Sequence, residues 1–286
     1  MGKTILVTGG AGFIGSHLIE ALAKDKNNKV ISLDNYFTGS KDNHIEGAEY
    51  IEGHSKQVSD LVKEKPDTIY HLGEYARVEK SFEDIKQVWD LNVPGTFAVL
   101  EFARECGAKL VYAGSSTKFG DGGLGRDQSP YAWTKATNTE LVRNYGDWFD
   151  LDYAITYFYN VYGPRERSGA FGTLIAIFAE KINNGESLTV NSPGTQRRNF
   201  THVEDIVDGL IKVGEKGSGD EYGLGSDESY SILEVAEMFG GEIRMMPEIK
   251  GNRMNGKLDV RRATNELGWS AKHNLPDYIK EIINGA

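Results

Sequence analysis

Cysteine occurs once, at Cys106, so the chain cannot close an internal disulfide or build a multi-cysteine zinc site, and it suits a reducing compartment. Long apolar runs are missing as well. None reaches the length that spans a bilayer, and the short apolar run near the start is cut off at Thr8-Gly9-Gly10, too early for a signal peptide. Basic blocks are also lacking: lysine and arginine number 32 against 42 acids, the formal net charge is -10, and the two signs are mixed along the chain. That leaves no basic stripe for nucleic acid and no polybasic arm for a membrane surface. The expectation is a soluble cytoplasmic protein with no nucleic-acid, membrane or metal partner.

The 286 residues suffice for one large or two modest domains. The first half alternates short β-branched runs with helix-length stretches. "KTILVTG" is followed by Ile14, Leu18 and Leu22 at every fourth position, one face of a helix. "KVISLD", "AEYIEG", "DTIYHLG" and "KLVYAGSS" repeat the strand signal, with a long helical stretch from Ile85 to Glu105 before the last. Strands spaced by helices predict βαβ units and a parallel sheet covered on both faces. After the strand "DYAITYFYN" the pattern loses regularity, through "GESLTV" and the glycine-rich "KGSGDEYGLGSDES". The predicted division is a large α/β domain over residues 1–160 and a smaller mixed α/β lobe over 161–286, with a helix near 200–213 ("HVEDIVDGLIKVG") packing back on the sheet.

In "TGGAGFIG", Gly9, Gly12 and Gly15 stand three apart between a strand and a helix. Gly9 can make the tight turn, Gly12 admits a pyrophosphate to the backbone, and Gly15 lets the helix approach the strand, with its N-terminus facing the phosphates. Asp34 closes the next strand at the offset where an acid holds a ribose hydroxyl pair, which selects NAD over NADP because a 2'-phosphate is repelled. The fold class is therefore a Rossmann-type doubly wound parallel sheet. In "SPYAWTK", Tyr131 and Lys135 are four residues apart and share a helix face. An ammonium beside a phenol lowers its pKa from about 10 and makes the tyrosine usable as a base. The lysine can also reach a cofactor ribose, and Ser115, at a strand end, can orient the same substrate oxygen.

"TGGAGFIGSHL", "DNYFTGS", "LNVPGT", "AGSSTKFG", "SPYAWTK", "YFYNVYGPRE", "RRNFTHVEDIVDGL" and "ATNELGW" together resemble, in order and over nearly the whole chain, the extended short-chain dehydrogenase/reductases of the nucleotide-sugar epimerase and dehydratase branch. The resemblance implies Ser115, Tyr131 and Lys135 as catalytic residues. It implies Gly9, Gly12, Phe13, Ile14 and Gly15 around the NAD pyrophosphate, Asp34 and Asn35 on the adenosine side, and Leu72, Gly73 and Asn92 along the cofactor. Asn160, Arg198 and Arg253 match positions that hold the diphosphate of a sugar nucleotide, for which a guanidinium fork is well suited. The smaller lobe would be the substrate lobe, and the family's habit of pairing two long helices implies a homodimer.

Members that eliminate water or decarboxylate carry a glutamate two residues after the strand-end Ser or Thr. Here Ser116 and Thr117 follow Ser115, and neither is a carboxyl acid. Cys106 lies upstream of the region where 3,5-epimerising members use a cysteine. The resemblance thus implies a UDP-glucose-type 4-epimerase acting through a 4-keto sugar, with a 4,6-dehydratase, a C4-dehydrogenase and a non-catalytic dinucleotide binder left open. Three departures bear on the choice. Glu74 stands where relatives have a small residue, which puts a carboxylate near the substrate and offers a dehydratase its missing acid. Lys118 replaces an apolar residue, and His54 stands where an aspartate often contacts adenine.

Overall fold

The computed structural model describes residues 2–117, 125–248 and 258–285. Arg253 and Lys118 lie outside the described residues. The chain opens with strand β1 (Thr4–Thr8), helix α1 (Phe13–Leu22), β2 (Lys29–Asp34), β3 (Ala48–Glu52), α2 (Val58–Leu61) and β4 (Thr68–His71). Helix α3 (Ile85–Cys106), β5 (Lys109–Ser115), α4 (Pro130–Phe149) and β6 (Tyr153–Phe158) follow. Then come β7 (Val161–Tyr162), α5 (Leu174–Asn183), β8 (Leu188–Asn191), β9 (Arg197–Asn199), β10 (Thr201–His202), α6 (Val203–Lys216) and β11 (Gly219–Leu224). The chain closes with β12 (Ser229–Ser231), α7 (Ile232–Phe239), β13 (Ile243–Met246), α8 (Arg261–Leu267) and α9 (Leu275–Gly285).

Seven strands pair in parallel in the order β11-β6-β5-β4-β1-β2-β3. Period-two alternation feeds two cores, one on each face. Ile5 and Val7 of β1 pack toward Leu18, Leu22 and the α6 residues Val207, Leu210 and Val213. Leu6 between them points the other way, into the core that holds Val99 and Leu100 of α3 and Val142 of α4. A third apolar core joins α5, β8, α7 and α9 through Phe178, Leu188, Phe239 and Ile279. The C-terminal segment is tied to α6 at Asp205, whose carboxylate accepts from the Lys272 and His273 amides and meets His273 Nδ1 at 3.0 Å.

The strand order reverses between β1 and β4, so the loops leaving their C-terminal ends part and open a crevice. Open parallel sheets bind ligands at this point. Thr8, Asp34, His71 and Ser115 each end a strand there.

Candidate active site

A cavity of about 570 Å³ opens along that edge, and it is lined by every sequence-predicted cofactor residue except Asn92. The phosphate end is built from backbone. Gly9 takes φ +73 and passes so close to Gly73 that a Cβ would sit 2.8 Å from the Gly73 Cα, while a Cβ on Gly15 would sit 2.1 Å from the Gly9 carbonyl oxygen. No side chain could enter without moving backbone. Helix α1 has no side-chain N-cap and no acid in its first turn, so its first amides and its dipole are left for an anion.

Asp34 is buried at the rim, its carboxylate accepting from the amides of Ala11 at 2.9 Å and Tyr36 at 2.8 Å. Burial pushes this carboxyl up, against the pull of the Tyr36 and Ala11 amides. Asn35, Leu72 and Gly73 line the cavity beside it. Asn92 is elsewhere. It is fully buried, its Oδ1 accepts from the Tyr75 amide at 2.7 Å and its Nδ2 donates to Thr134 Oγ1 at 3.0 Å. The side chain clamps the segment after β4 onto α3 and α4, its Nδ2 also donating to the Tyr75 carbonyl at 3.4 Å, and it does not line the cavity. His54, which stands where relatives often carry an aspartate, uses Nδ1 to cap a helical turn at Lys56, and its Nε2 lies 3.2 Å from Asp90.

At the reacting end, Ser129 caps α4 by accepting from the Ala132 amide at 3.1 Å, and Pro130 starts the helix. This fixes the phase that turns Tyr131 inward. Its hydroxyl donates to Ser115 Oγ at 3.3 Å, and Ser115 Oγ also meets Thr117 Oγ1 at 2.8 Å. Lys135 is not directed at the phenol. Its ammonium donates to Glu74 Oε2 and to the Ala113 carbonyl, and it lies 4.6 Å from the centre of the Tyr112 ring.

Glu74 lines the cavity, but its carboxylate turns inward, with its side chain only 3% exposed. Oε1 accepts from Thr96 Oγ1 at 2.8 Å, Asn138 Nδ2 at 2.8 Å and Tyr112 OH at 3.2 Å, while Oε2 takes the lysine. Burial raises the carboxyl, but the Lys135 ammonium, aided by hydrogen bonds from Lys135 and Thr96, outweighs it and holds Glu74 below its ordinary range. A one-way chain of donors ends on this charge. Gly73 N–H donates to Thr8 Oγ1; since Thr96 gives its proton to Glu74, His71 Nε2 must donate to Thr96, and His71 Nδ1 then accepts from Thr8. That order requires neutral His71, and burial pushes its pKa down to about 4. Sequence reasoning missed Thr8, His71, Thr96 and Asn138. The available signal was spacing, since Asn138 follows Lys135 by one turn and Thr96 lies on the face of Asn92.

Of the expected substrate residues, Asn160 and Arg198 both line the cavity. Asn160 takes φ +36, and its Nδ2 donates to the Asn199 carbonyl at 2.9 Å. Strand alternation separates the two arginines of β9: Arg197 pairs outward with Glu234 at 3.0 Å, and Arg198 takes the cavity side.

A dinucleotide cradle at the switch point of a parallel sheet, with a tyrosine, a serine and a lysine across the cavity from it, defines a Rossmann-type enzyme of the short-chain dehydrogenase kind. The model of the NAD dependent epimerase/dehydratase family matches residues 5–225, and the chain belongs to that family. It is 32% identical over 294 residues to UDP-glucuronic acid decarboxylase 6 of Arabidopsis thaliana, covering 95% of this chain and 85% of that one. It is 31% identical over 298 residues to a putative UDP-glucose 4-epimerase of Methanocaldococcus jannaschii, covering 98% and 97%. The crystal structure of a Thermotoga maritima UDP-glucose 4-epimerase with UDP-glucose superposes with a TM-score of 0.90 at 25% identity, over 98% of this chain and 97% of that one. NAD is the cofactor, and the backbone cradle at Gly9, Gly12 and Gly15 with the Asp34 carboxylate fits it. Among the described residues, no helix is long and apolar enough to cross a membrane.

Proposed function

We propose that the protein is a nucleotide-sugar 4-epimerase working through a reversibly formed 4-keto sugar. The carrying observation is the Tyr131 hydroxyl on Ser115 Oγ at 3.3 Å inside the cavity. A sugar hydroxyl placed between them gives its proton to Tyr131 in its phenolate form while Ser115 holds its oxygen. NAD, when bound, supplies the hydride acceptor. Asn160 and Arg198 take the diphosphate, so that binding energy comes from the nucleotide end and the sugar can turn over before hydride returns.

Two facts weigh against elimination and decarboxylation. The residues after Ser115 are hydroxylic, and the Glu74 carboxylate accepts four donors and has no proton to give. The named activity of the Arabidopsis relative is therefore not carried over.

A second reading concerns the sugar. Arg77 lies in the cavity wall with Nε and a terminal nitrogen on the Phe171 carbonyl, at 2.7 and 2.5 Å, and the other on the Ala76 carbonyl at 2.9 Å. No carboxylate among the described residues pairs with it, and two of the five donors of a guanidinium stay available. Glu166, a half-buried carboxylate, acts on Arg77 at longer range, and a hexuronate would bring a second carboxylate to the two open donors, which favours it over a neutral hexose.

For assembly, α3 and α4 expose Trp89, Phe97, Trp133 and Trp148, with Trp89 and Trp133 stacked at 5.9 Å. Such an apolar face supports a homodimer. The lone cysteine fits the cytoplasm.

The test is NMR product analysis in D2O with UDP-glucose, UDP-N-acetylglucosamine and UDP-glucuronate. A 4-epimer that keeps protium on the ring is expected, with UDP-glucuronate turned over fastest. Loss of water with deuterium uptake, or loss of CO2, overturns the epimerase reading; silence from all three favours a binding-only protein. Tyr131→Phe should fold and lose about 10²- to 10⁴-fold in kcat.

A further inference from the structure

The ion pair between Glu74 and Lys135 is nearly sealed from solvent, with side chains 3% and 6% exposed. Glu74 is the end point of the donor chain from Gly73 through Thr8, His71 and Thr96, and it takes two further donors from Asn138 and Tyr112. Such convergence is expected only for a permanent anion. The proposed reaction has no step for it. Its oxygens face Lys135 and the protein interior, on the same cavity wall from which Lys135 must act.

We propose that Glu74 is a positioning residue: it fixes the Lys135 ammonium and cancels part of its charge, setting the electrostatic field at Tyr131 and at the nicotinamide end of the cavity. With the pair intact, the field across the site is close to that of a neutral group. Without Glu74, a whole positive charge remains in a place of low dielectric, where it lowers the pKa of a phenol and disfavours an oxidised, cationic nicotinamide relative to the reduced, neutral one. The charged and titratable groups around Tyr131 are few. Helix α4 contributes Lys135, β5 contributes Tyr112 beside Ser115, and the segment after β4 contributes Glu74, Arg77 and the Tyr75 phenol packed against Tyr131, with His71 beneath them. Arg77 stays in place when Glu74 is changed, and His71 is neutral at working pH. Glu74 can thus be neutralised without emptying the site of its base or its lysine.

The pH part of this inference rests on Tyr131 being the base; the cofactor part does not. Titration of Glu74→Gln with NAD and with NADH, in the absence of any sugar, should show the affinity ratio moved about tenfold toward NADH, the size of one charge acting over several ångströms at an effective dielectric of about 20. An unchanged ratio in the folded variant overturns the proposal. The acid limb of its kcat/KM profile should move down by about one pH unit. If the ratio moves and the limb does not, Tyr131 is not the base, and the epimerase mechanism fails while the role of Glu74 stands. Glu74→Asp keeps the charge and shortens the arm by one methylene, so the NAD/NADH ratio should stay within about twofold of the parent while kcat falls at least fivefold with the sugar KM unchanged. Wild-type kcat in Glu74→Asp overturns the positioning role even if Glu74→Gln does not fold.

Discussion

Replacing Lys135 by methionine removes the proposed catalytic ammonium, and it also strands Glu74 as an uncompensated anion with a side chain 3% exposed. Removing one partner of a buried pair costs about 3–5 kcal/mol. The structure places Lys135→Met at the lower end, because Thr96, Tyr112 and Asn138 still donate to the stranded carboxylate. Glu74→Leu belongs at the upper end, since the ammonium keeps only the Ala113 carbonyl and the face of Tyr112. The double change Glu74→Gln with Lys135→Met leaves no charge, and the amide oxygen of glutamine still offers two lone pairs to the three neutral donors. It should lie within about 1–2 kcal/mol of the parent, whereas two single losses of about 3 kcal/mol or more each sum to at least about 6, so the two changes are non-additive by at least roughly 4 kcal/mol. For a chain of this size 1 kcal/mol moves Tm by about 2–4 °C. Thermal unfolding of the apoprotein should therefore show Lys135→Met lower by about 6–12 °C and the double variant recovering most of it. Additive losses would refute the assignment of the pair as a coupled unit. The pH dependence has a definite sign. The Glu74 carboxyl is held below its ordinary range in the fold, so its contribution is present above the unfolded-state carboxylate pKa and is lost as pH falls through the lowered folded value.

Asn92→Ala should act on stability before affinity. It leaves the buried Tyr75 amide without its acceptor, a cost of about 1–3 kcal/mol, and a loss of NAD affinity above tenfold at unchanged Tm would restore Asn92 to the cofactor. Titrations should give NAD about 100-fold or more over NADP, because the buried Asp34 carboxylate meets the 2'-phosphate; tighter NADP binding would remove Asp34 from the ribose. Trp89→Glu with Trp133→Glu should turn a sedimenting dimer into a monomer, and a parent that already sediments as a monomer would sink the homodimer.

The elements that carry the cofactor were legible because their causes are local. The strand-turn-helix at Gly9 to Gly15 needs only a tight turn and close backbone approach, and the structure has both. Strand β11 was not legible. Its residues lie in the glycine-rich stretch after α6, Glu221 takes φ +76, and the pairing with β6 shifts register between Gly219 and Tyr222, so no clean alternation reaches the sequence. Asn92 was placed at the cofactor by the resemblance of "LNVPGT", whereas its side-chain partners, the Tyr75 amide and Thr134, are set by how α3 packs.

By itself the sequence determined the parallel sheet, the dinucleotide cradle and the presence of a tyrosine, a serine and a lysine at one sheet edge, since these follow from turn chemistry, side-chain periodicity and strand ends. Tertiary structure alone decided what the charges do. Glu74 and Lys135 are 61 residues apart, and whether that carboxylate would meet solvent, substrate or lysine depended on how the segment after β4 packs between α3 and α4. Once buried there, an unpaired carboxylate would have been too costly to keep ionised, so it took the one ammonium within reach.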